Sequence, residues 1–245
     1  MPPIITFAAR KGGVGKSSLT IALAGWLMAR GIPVAILDTD PQGTIDVWRN
    51  LRLQHARYPL VTDAARTTPH VLSALRPLEI AQTTRRLLED PRYRHGVIII
   101  DTPPKMDPSV EKAIGMSDLV LVPARACAFD CESVEVTIET ARRARLYCVV
   151  VLTMVQPDRD GDPMHLVRTA RRWLEENDVD VADETIVDRV AWQRAAALGF
   201  HVSEFEAYGR AALEIDTLAR AICQGLGIVI PYHLDTPFQR GQNRA

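Results

Sequence analysis

The sequence predicts an α/β fold, a mostly parallel, twisted β-sheet flanked by helices on both faces. Three observations carry that prediction. Short, nearly all-apolar runs at 4–9, 33–37, 96–100, 118–123 and 147–153 have the composition of central strands buried on both faces. Segments with apolar residues at helical spacing lie between them, so strand and helix alternate along the chain. The turn joining the first run to the first helical segment is Lys11-Gly12-Gly13-Val14-Gly15-Lys16-Ser17-Ser18, glycine-rich and in the strand–turn–helix context a phosphate-binding loop requires.

Composition bounds the rest. With 245 residues, 47% hydrophobic, the chain can bury a sizeable core, and we expect a single domain over 1–227 followed by a tail over 228–245. A net charge of −1 excludes a molecule that binds nucleic acid through its overall charge, so any such contact must come from a local patch. The apolar run at 4–9 is too short for a secretory signal, and no run approaches the ~18 apolar residues of a membrane span. Four cysteines do not make a disulfide framework; Cys127 and Cys131 have metal-pair spacing but no further ligand nearby, and read as small apolar residues. A cytoplasmic protein is expected.

Taken in order, the run at 4–9 is the first strand, and 17–30 the first helix, with Leu19, Leu23, Trp26 and Leu27 on one stripe and Gly31 at its end. Glycines let the loop between them approach an anion, and its N–H groups and the following helix N-terminus would face phosphate oxygens. In such a loop Lys16 reaches the β/γ-phosphates and the Ser17 hydroxyl enters the shell of Mg²⁺. Only four of the 29 basic residues are lysines, Lys11, Lys16, Lys105 and Lys112, so half the lysines sit in this loop, where a compact ammonium fits better than a guanidinium.

The run at 33–37 delivers Asp38-Thr39-Asp40-Pro41-Gln42-Gly43, two carboxylates at a strand's carboxyl end, where open α/β sheets bind ligands. A short helix with Trp48 follows over 44–50, a short strand is expected over 57–63 and a helix over 78–89; Arg85, Arg86, Arg92 and Arg94 form a small basic run of the kind a solvated face carries. The strand at 96–100 ends in Asp101-Thr102-Pro103-Pro104, the Walker B arrangement whose carboxylate holds Mg²⁺ through water. Then come a helix over 109–115, a strand over 118–123, a helix over 132–145, a strand over 147–153, a helix over 162–177, a last strand and loop over 185–190, and helices over 191–199 and 206–226. Arg168, Arg171 and Arg172 fall at i, i+3 and i+4 of one helix, a pattern shared by a phosphate-contacting face and an ordinary solvated one.

The loop has Arg10 where a standard Walker A motif has its first glycine, and a second lysine, Lys11, follows. In this it resembles the deviant Walker A loop of the ParA/MinD family of ATPases, and the D-T-D-P-Q and D-T-P-P stretches match that family's two switches in the same order. The resemblance covers about 3–225, and with Trp48 it is nearest to the short ParA partition ATPases that lack an N-terminal helix-turn-helix. It implies a P-loop NTPase fold binding ATP/ADP and Mg²⁺, with weak basal hydrolysis. It implies an ATP-sandwich homodimer in which Lys11 reaches the partner's nucleotide. It gives Asp40 the attacking water, Asp38 with Ser17 and Asp101 the Mg²⁺ shell, and Thr153 and Met154 the adenine. No N-K-x-D motif is present, which favours ATP over GTP.

By the same resemblance the ATP state binds non-specific duplex DNA at the nucleoid, and a centromere-binding or cargo adaptor protein stimulates hydrolysis to drive segregation of plasmid or chromosome DNA. Arg168, Arg171, Arg172, Arg189 and Arg194 are the candidate phosphate contacts. The alternatives are positioning of a non-DNA cargo, such as a chemotaxis or DNA-transfer complex, or a MinD-type membrane-associated regulator. The proline-containing tail lacks the basic amphipathic helix that a membrane regulator uses. An iron–sulfur carrier of the same superfamily would need paired cysteines at a dimer axis, a context Cys127 and Cys131 lack.

Overall fold

The computed structural model describes residues 1–55, 68–156 and 163–231, without the side chains of 55, 128–132 and 163. The strand expected over 57–63, Asp162 at the head of a helix, and the tail beyond 231 lie outside the described residues.

One sheet contains β1 (Ile4–Phe7), β2 (Val34–Asp38), β3 (His70–Ser73), β4 (Val97–Asp101), β5 (Leu119–Arg125), β6 (Tyr147–Val155) and β7 (Val181–Val187). Their order is β3-β2-β4-β1-β5-β6-β7, and every ladder is parallel. Between them come α-helices α1 (Lys16–Met28), α2 (Thr44–His55), α3 (Pro77–Glu89), α4 (Pro108–Ile114), α5 (Ala128–Arg143) and α6 (Pro163–Glu176), and after β7 come α7 (Val190–Ala197), α8 (Val202–Phe205) and α9 (Arg210–Leu226).

Strand side chains alternate between two cores, as a period of two requires. Ile5, Phe7, Ile36, Ile99, Leu121 and Val151 face α1 and α9. On the other face, Ile98 and Ile100 meet α3 and α4, while Val120, Val122, Val150 and Leu152 meet α5 and α6. Helix α1 is buried on nearly every side because α8 and α9 cover it, which is why its apolar residues run round the helix instead of keeping to a stripe. Asp216 of α9 accepts from the Trp26 indole at 2.8 Å and from Arg30 at 2.8 Å, tying the two helices together.

The expected elements differ from the observed ones mainly at their ends. The short edge strand β3 and the single-turn helix α8 were not anticipated. The last helix begins at Arg210 instead of 206, because Gly209 supplies an extended N-cap after a turn. Strands β5 and β6 each run two residues further than expected.

Close packing of α1 gives a stability prediction. A Cβ on Gly25 would lie 2.2 Å from Cδ2 of His201, which is itself only 2% exposed. Neither helix backbone nor buried ring can yield cheaply, so Gly25→Ala is expected to lower unfolding free energy by about 1–3 kcal/mol, read by chemical denaturation. A variant as stable as the parent would show that His201 has room to move.

Candidate functional site

The site lies where β1, β2 and β4 end. Phe7 is opposite Asp101, and Asp101 opposite Asp38, so the three strands stop at one level and present two aspartates beside the loop that leaves β1. Gly13 (φ 69°) and Gly15 (φ 81°) take left-handed backbone that side-chain-bearing residues avoid, and Gly15 is also the N-cap of α1. The loop therefore turns sharply and sets the start of α1 facing the site.

Asp101 is fully buried. One of its oxygens accepts from Ser17 Oγ at 2.7 Å and the other from Thr20 Oγ1 at 2.9 Å. Burial raises its pKa, opposed by the positive charge of Lys16 and by these two hydroxyls. Lys16 is itself only 7% exposed, an ammonium drawn into the site. Asp38, 1% exposed, has its pKa raised to about 7, chiefly by burial and further by the neighbouring Asp101 and Asp40 carboxylates. Its Oδ1 accepts from the Asp40 N–H at 3.0 Å, while its buried Oδ2 has no hydrogen-bond partner among the described residues.

A buried carboxylate oxygen without a donor, next to a second buried carboxylate that holds a serine hydroxyl, is an arrangement short of positive charge. All-oxygen donors of this kind suit Mg²⁺ with several waters retained. Ser17, Asp38 and Asp101, the residues expected in the metal shell, therefore fit such an ion. Asp40 stands at the mouth of the site on the turn after β2, with its Oδ1 accepting from Gln42 N at 3.0 Å and its carbonyl from Gly43 N at 3.0 Å. Lys11 is half-buried at the start of the loop, beside the exposed Gly12 and Gly13.

Some neighbours of these residues are given no role by the sequence reasoning. Thr20 is one: it lies three residues past Ser17 on α1, and that spacing was the available signal. Thr39 and Thr102 are others; their hydroxyls donate to the Asp101 and Phe7 carbonyls, each at 2.9 Å, and tie the segments that follow β2 and β4 to the strand ends. Just after Asp101-Thr102-Pro103-Pro104, Lys105 pairs with Asp107 at 2.6 Å, and Asp107 caps α4 through Ser109 N and Val110 N.

Thr153 and Met154, expected at the adenine, border the same cavity but offer it different groups. Thr153 is buried and donates to the Val14 carbonyl at 2.8 Å, so its hydroxyl is spent on the loop. Met154, in left-handed backbone at φ 53°, lines a cavity of about 190 Å³ with Ser18, Val187, Asp188, Trp192 and Gln193. The buried Trp192 Nε1 has no hydrogen-bond partner among the described residues. The five arginines do not form one patch. Arg168 and Arg172 are exposed on α6, and Arg194 is exposed on α7 across the sheet. Arg171 instead donates to the Asp183 carbonyl at 2.7 Å and to Thr185 Oγ1 at 3.1 Å, and Arg189 pairs with Glu214 at 2.6 Å. Among the described residues there is no cluster of three or more metal-ligating His, Cys, Asp or Glu, and no helix long and apolar enough to cross a membrane.

The family model described as the CobQ/CobB/MinD/ParA nucleotide binding domain matches residues 5–199. Protein ParA of Rhizobium radiobacter is 27% identical over 203 residues, 80% of this chain and 83% of that one. The chromosome-partitioning ATPase Soj of Treponema pallidum is 24% identical over 250 residues, 91% of this chain and 97% of that one. Among solved structures, the septum site-determining protein MinD of Pyrococcus horikoshii, complexed with Mg-ADP, is similar with a TM-score of 0.69 at 16% identity. That likeness covers 93% of this chain and 98% of MinD, and it is a likeness of fold.

Proposed function

The chain belongs to the CobQ/CobB/MinD/ParA nucleotide binding family, with ParA/MinD-type ATPases as its relatives, and from that premise we propose that it is a ParA-type partition ATPase with one catalytic domain over 1–227. The observation that carries this reading is the meeting of Ser17 with Asp101, and of Asp101 with Asp38, beneath a loop that bears both Lys11 and Lys16. The partition proteins among its sequence relatives favour a DNA cargo over a membrane one.

In this reading the loop N–H groups and Lys16 hold the β/γ-phosphates. Ser17, Asp38 and Asp101 would hold Mg²⁺, which when bound neutralises charge on the phosphate oxygens. Asp40 orients a water in line with the γ-phosphorus; as the new P–O bond forms, the bond to the bridging oxygen breaks and ADP leaves. Lys11 of each subunit of an ATP dimer neutralises charge on the other's nucleotide, so that hydrolysis is coupled to dimerisation, is slow alone and is faster with an adaptor protein. The base enters the cavity beside Met154, where Trp192 Nε1 supplies a donor.

The ATP dimer then binds duplex DNA without sequence preference. Arg168 and Arg172 are four residues apart and exposed on the same face of α6, so they are our first candidates for phosphate contacts, with Arg194 a separate one. Arg171 and Arg189 hold β7 against its neighbours and are assigned to structure. Binding is tested across a salt series with ATP, with ADP and without nucleotide. The expected result is binding only with ATP, and for Arg168→Ala/Arg172→Ala at least a tenfold loss, with the log–log salt slope reduced by roughly 0.9 per lost contact. Unchanged affinity in that variant would remove α6 from the DNA face; no ATP-dependent DNA binding in the parent would remove the DNA cargo.

A further inference from the structure

Beside the loop, and outside the residues that any motif names, stands Arg125. It is the last residue of β5, opposite Thr153 on β6 in the ladder. Its Nη2 donates to the Gly13 carbonyl at 2.8 Å, and Thr153 Oγ1 donates to the next carbonyl, that of Val14, at 2.8 Å. Two adjacent strand ends thus grip two consecutive peptide units of the loop.

We propose that Arg125 is a positioning residue which, with Thr153, sets the peptide planes of the phosphate loop and so fixes its affinity for a di- or triphosphate. The inference rests on reading the loop as a phosphate site. A trans peptide is planar, so its C=O and N–H point in opposite directions. Drawing the Gly13 carbonyl toward Arg125 turns the Val14 N–H away from it. Drawing the Val14 carbonyl toward Thr153 does the same for the Gly15 N–H. Successive N–H groups held in fixed directions are what an anion nest consists of.

The loop's own sterics restrict these planes only at the buried Val14 between them and leave their outer sides loose. Gly13 and Gly15 flank them, and glycine takes positive and negative φ with similar ease. Side chains from the rigid sheet supply the missing restraint, so the donors are set before phosphate arrives and need no reorganisation on binding. Gly13 also makes room for the guanidinium: a Cβ there would lie 3.2 Å from Arg125 Nη2.

The test titrates the parent, Arg125→Ala, Arg125→Lys and Thr153→Val with ATP, ADP and inorganic pyrophosphate at low and high salt, with melting curves as a check on folding. Pyrophosphate reports on the loop without the base. We expect Arg125→Ala to melt like the parent and to bind all three ligands roughly tenfold more weakly, the size of one charge-assisted hydrogen bond. Arg125 is exposed, but the factor should persist at high salt, because it comes from a directed contact of 2.8 Å to the loop backbone and not from long-range attraction of the phosphate. Thr153→Val should weaken the same three ligands, and Arg125→Lys, which keeps a cationic donor on a long stem, should recover most of the loss. Affinity within about twofold of the parent, a loss confined to low salt, an unaffected pyrophosphate, or no recovery with lysine would each overturn the proposal. A parent that binds none of the three would instead sink the phosphate-site reading itself.

Discussion

Asp40→Ala is expected to bind ATP like the parent and to hydrolyse it at least ~10²-fold more slowly, the usual scale for losing a group that positions or deprotonates the attacking water. The reasoning is geometric. Asp38 and Asp101 are buried side by side at the strand ends, one held by the Asp40 N–H and the other by two hydroxyls, so both belong to the floor of the site. Asp40 is two residues further on, half-buried on a turn closed by its own contacts to Gln42 N and Gly43 N. It is the carboxylate nearest the mouth that the backbone holds in place without burying. Removing it leaves the loop, Lys16 and the Ser17, Asp38 and Asp101 side chains intact, so ground-state binding should persist while the step that needs an oriented water fails. Single-turnover hydrolysis and equilibrium ATP binding separate the two. Hydrolysis within about tenfold of the parent would move the water-orienting role elsewhere, and a comparable loss of ATP affinity would make Asp40 a nucleotide contact. Lys16→Ala is the contrast, since it should lose binding first.

The parts of this site legible in the sequence are those in which chemistry demands contiguous residues. A loop that wraps a phosphate, and a strand that ends in a carboxylate, each write their pattern into a few neighbouring positions, and the strand ladder then brings Phe7, Asp38 and Asp101 to one level. What stayed hidden depends on contacts between segments far apart in the chain. The strand expected over 118–123 continues past Pro123 to Arg125 as β5; beyond Leu121 it has a ladder partner only in β6, so a missing N–H on the other side costs nothing. That extension is what carries Arg125 to the loop. The arginine cluster shows the same limit at finer scale. At 100° per residue Arg168 and Arg172 are about 40° apart, but Arg171 lies about 100° from Arg172, far enough round to turn it onto β7. Arg189 finds Glu214 25 residues away, a partner no local pattern announces.

Arg52→Ala is expected to destabilise the fold by about 3–5 kcal/mol, the cost of leaving one member of a buried ion pair alone. Arg52 has no exposed side-chain surface; it grips Glu204 with two bonds, at 2.6 and 3.1 Å, and donates to the Gly199 carbonyl at 3.1 Å. In the parent, burial pushes the pKa of the nearby His201 down to about 4, so at pH 7 it is Arg52 and not the imidazole that carries the charge opposite Glu204. The loss should therefore come mainly from the stranded Glu204 carboxylate, and this can be checked: Arg52→Met/Glu204→Leu, which removes both charges and keeps bulk, should recover much of what Arg52→Ala loses. A single variant within ~1 kcal/mol of the parent, or a double variant no better than the single, would show that the pair contributes little. The pair matters beyond stability because of where it sits. Helix α2 begins at Thr44, immediately after the Asp40–Gly43 turn, and Arg52 together with the Trp48 indole, which donates to the Phe200 carbonyl at 3.2 Å, pins that helix to α8 and to the segment before it. Trp192 of α7 in turn lines the cavity beside Met154. The turn that carries Asp40 and the wall of the cavity beside Met154 are thus anchored to one buried charge pair, so Arg52→Ala should also lower the rate of hydrolysis at temperatures where the variant is still folded, although neither residue of the pair lies at the loop over 11–18.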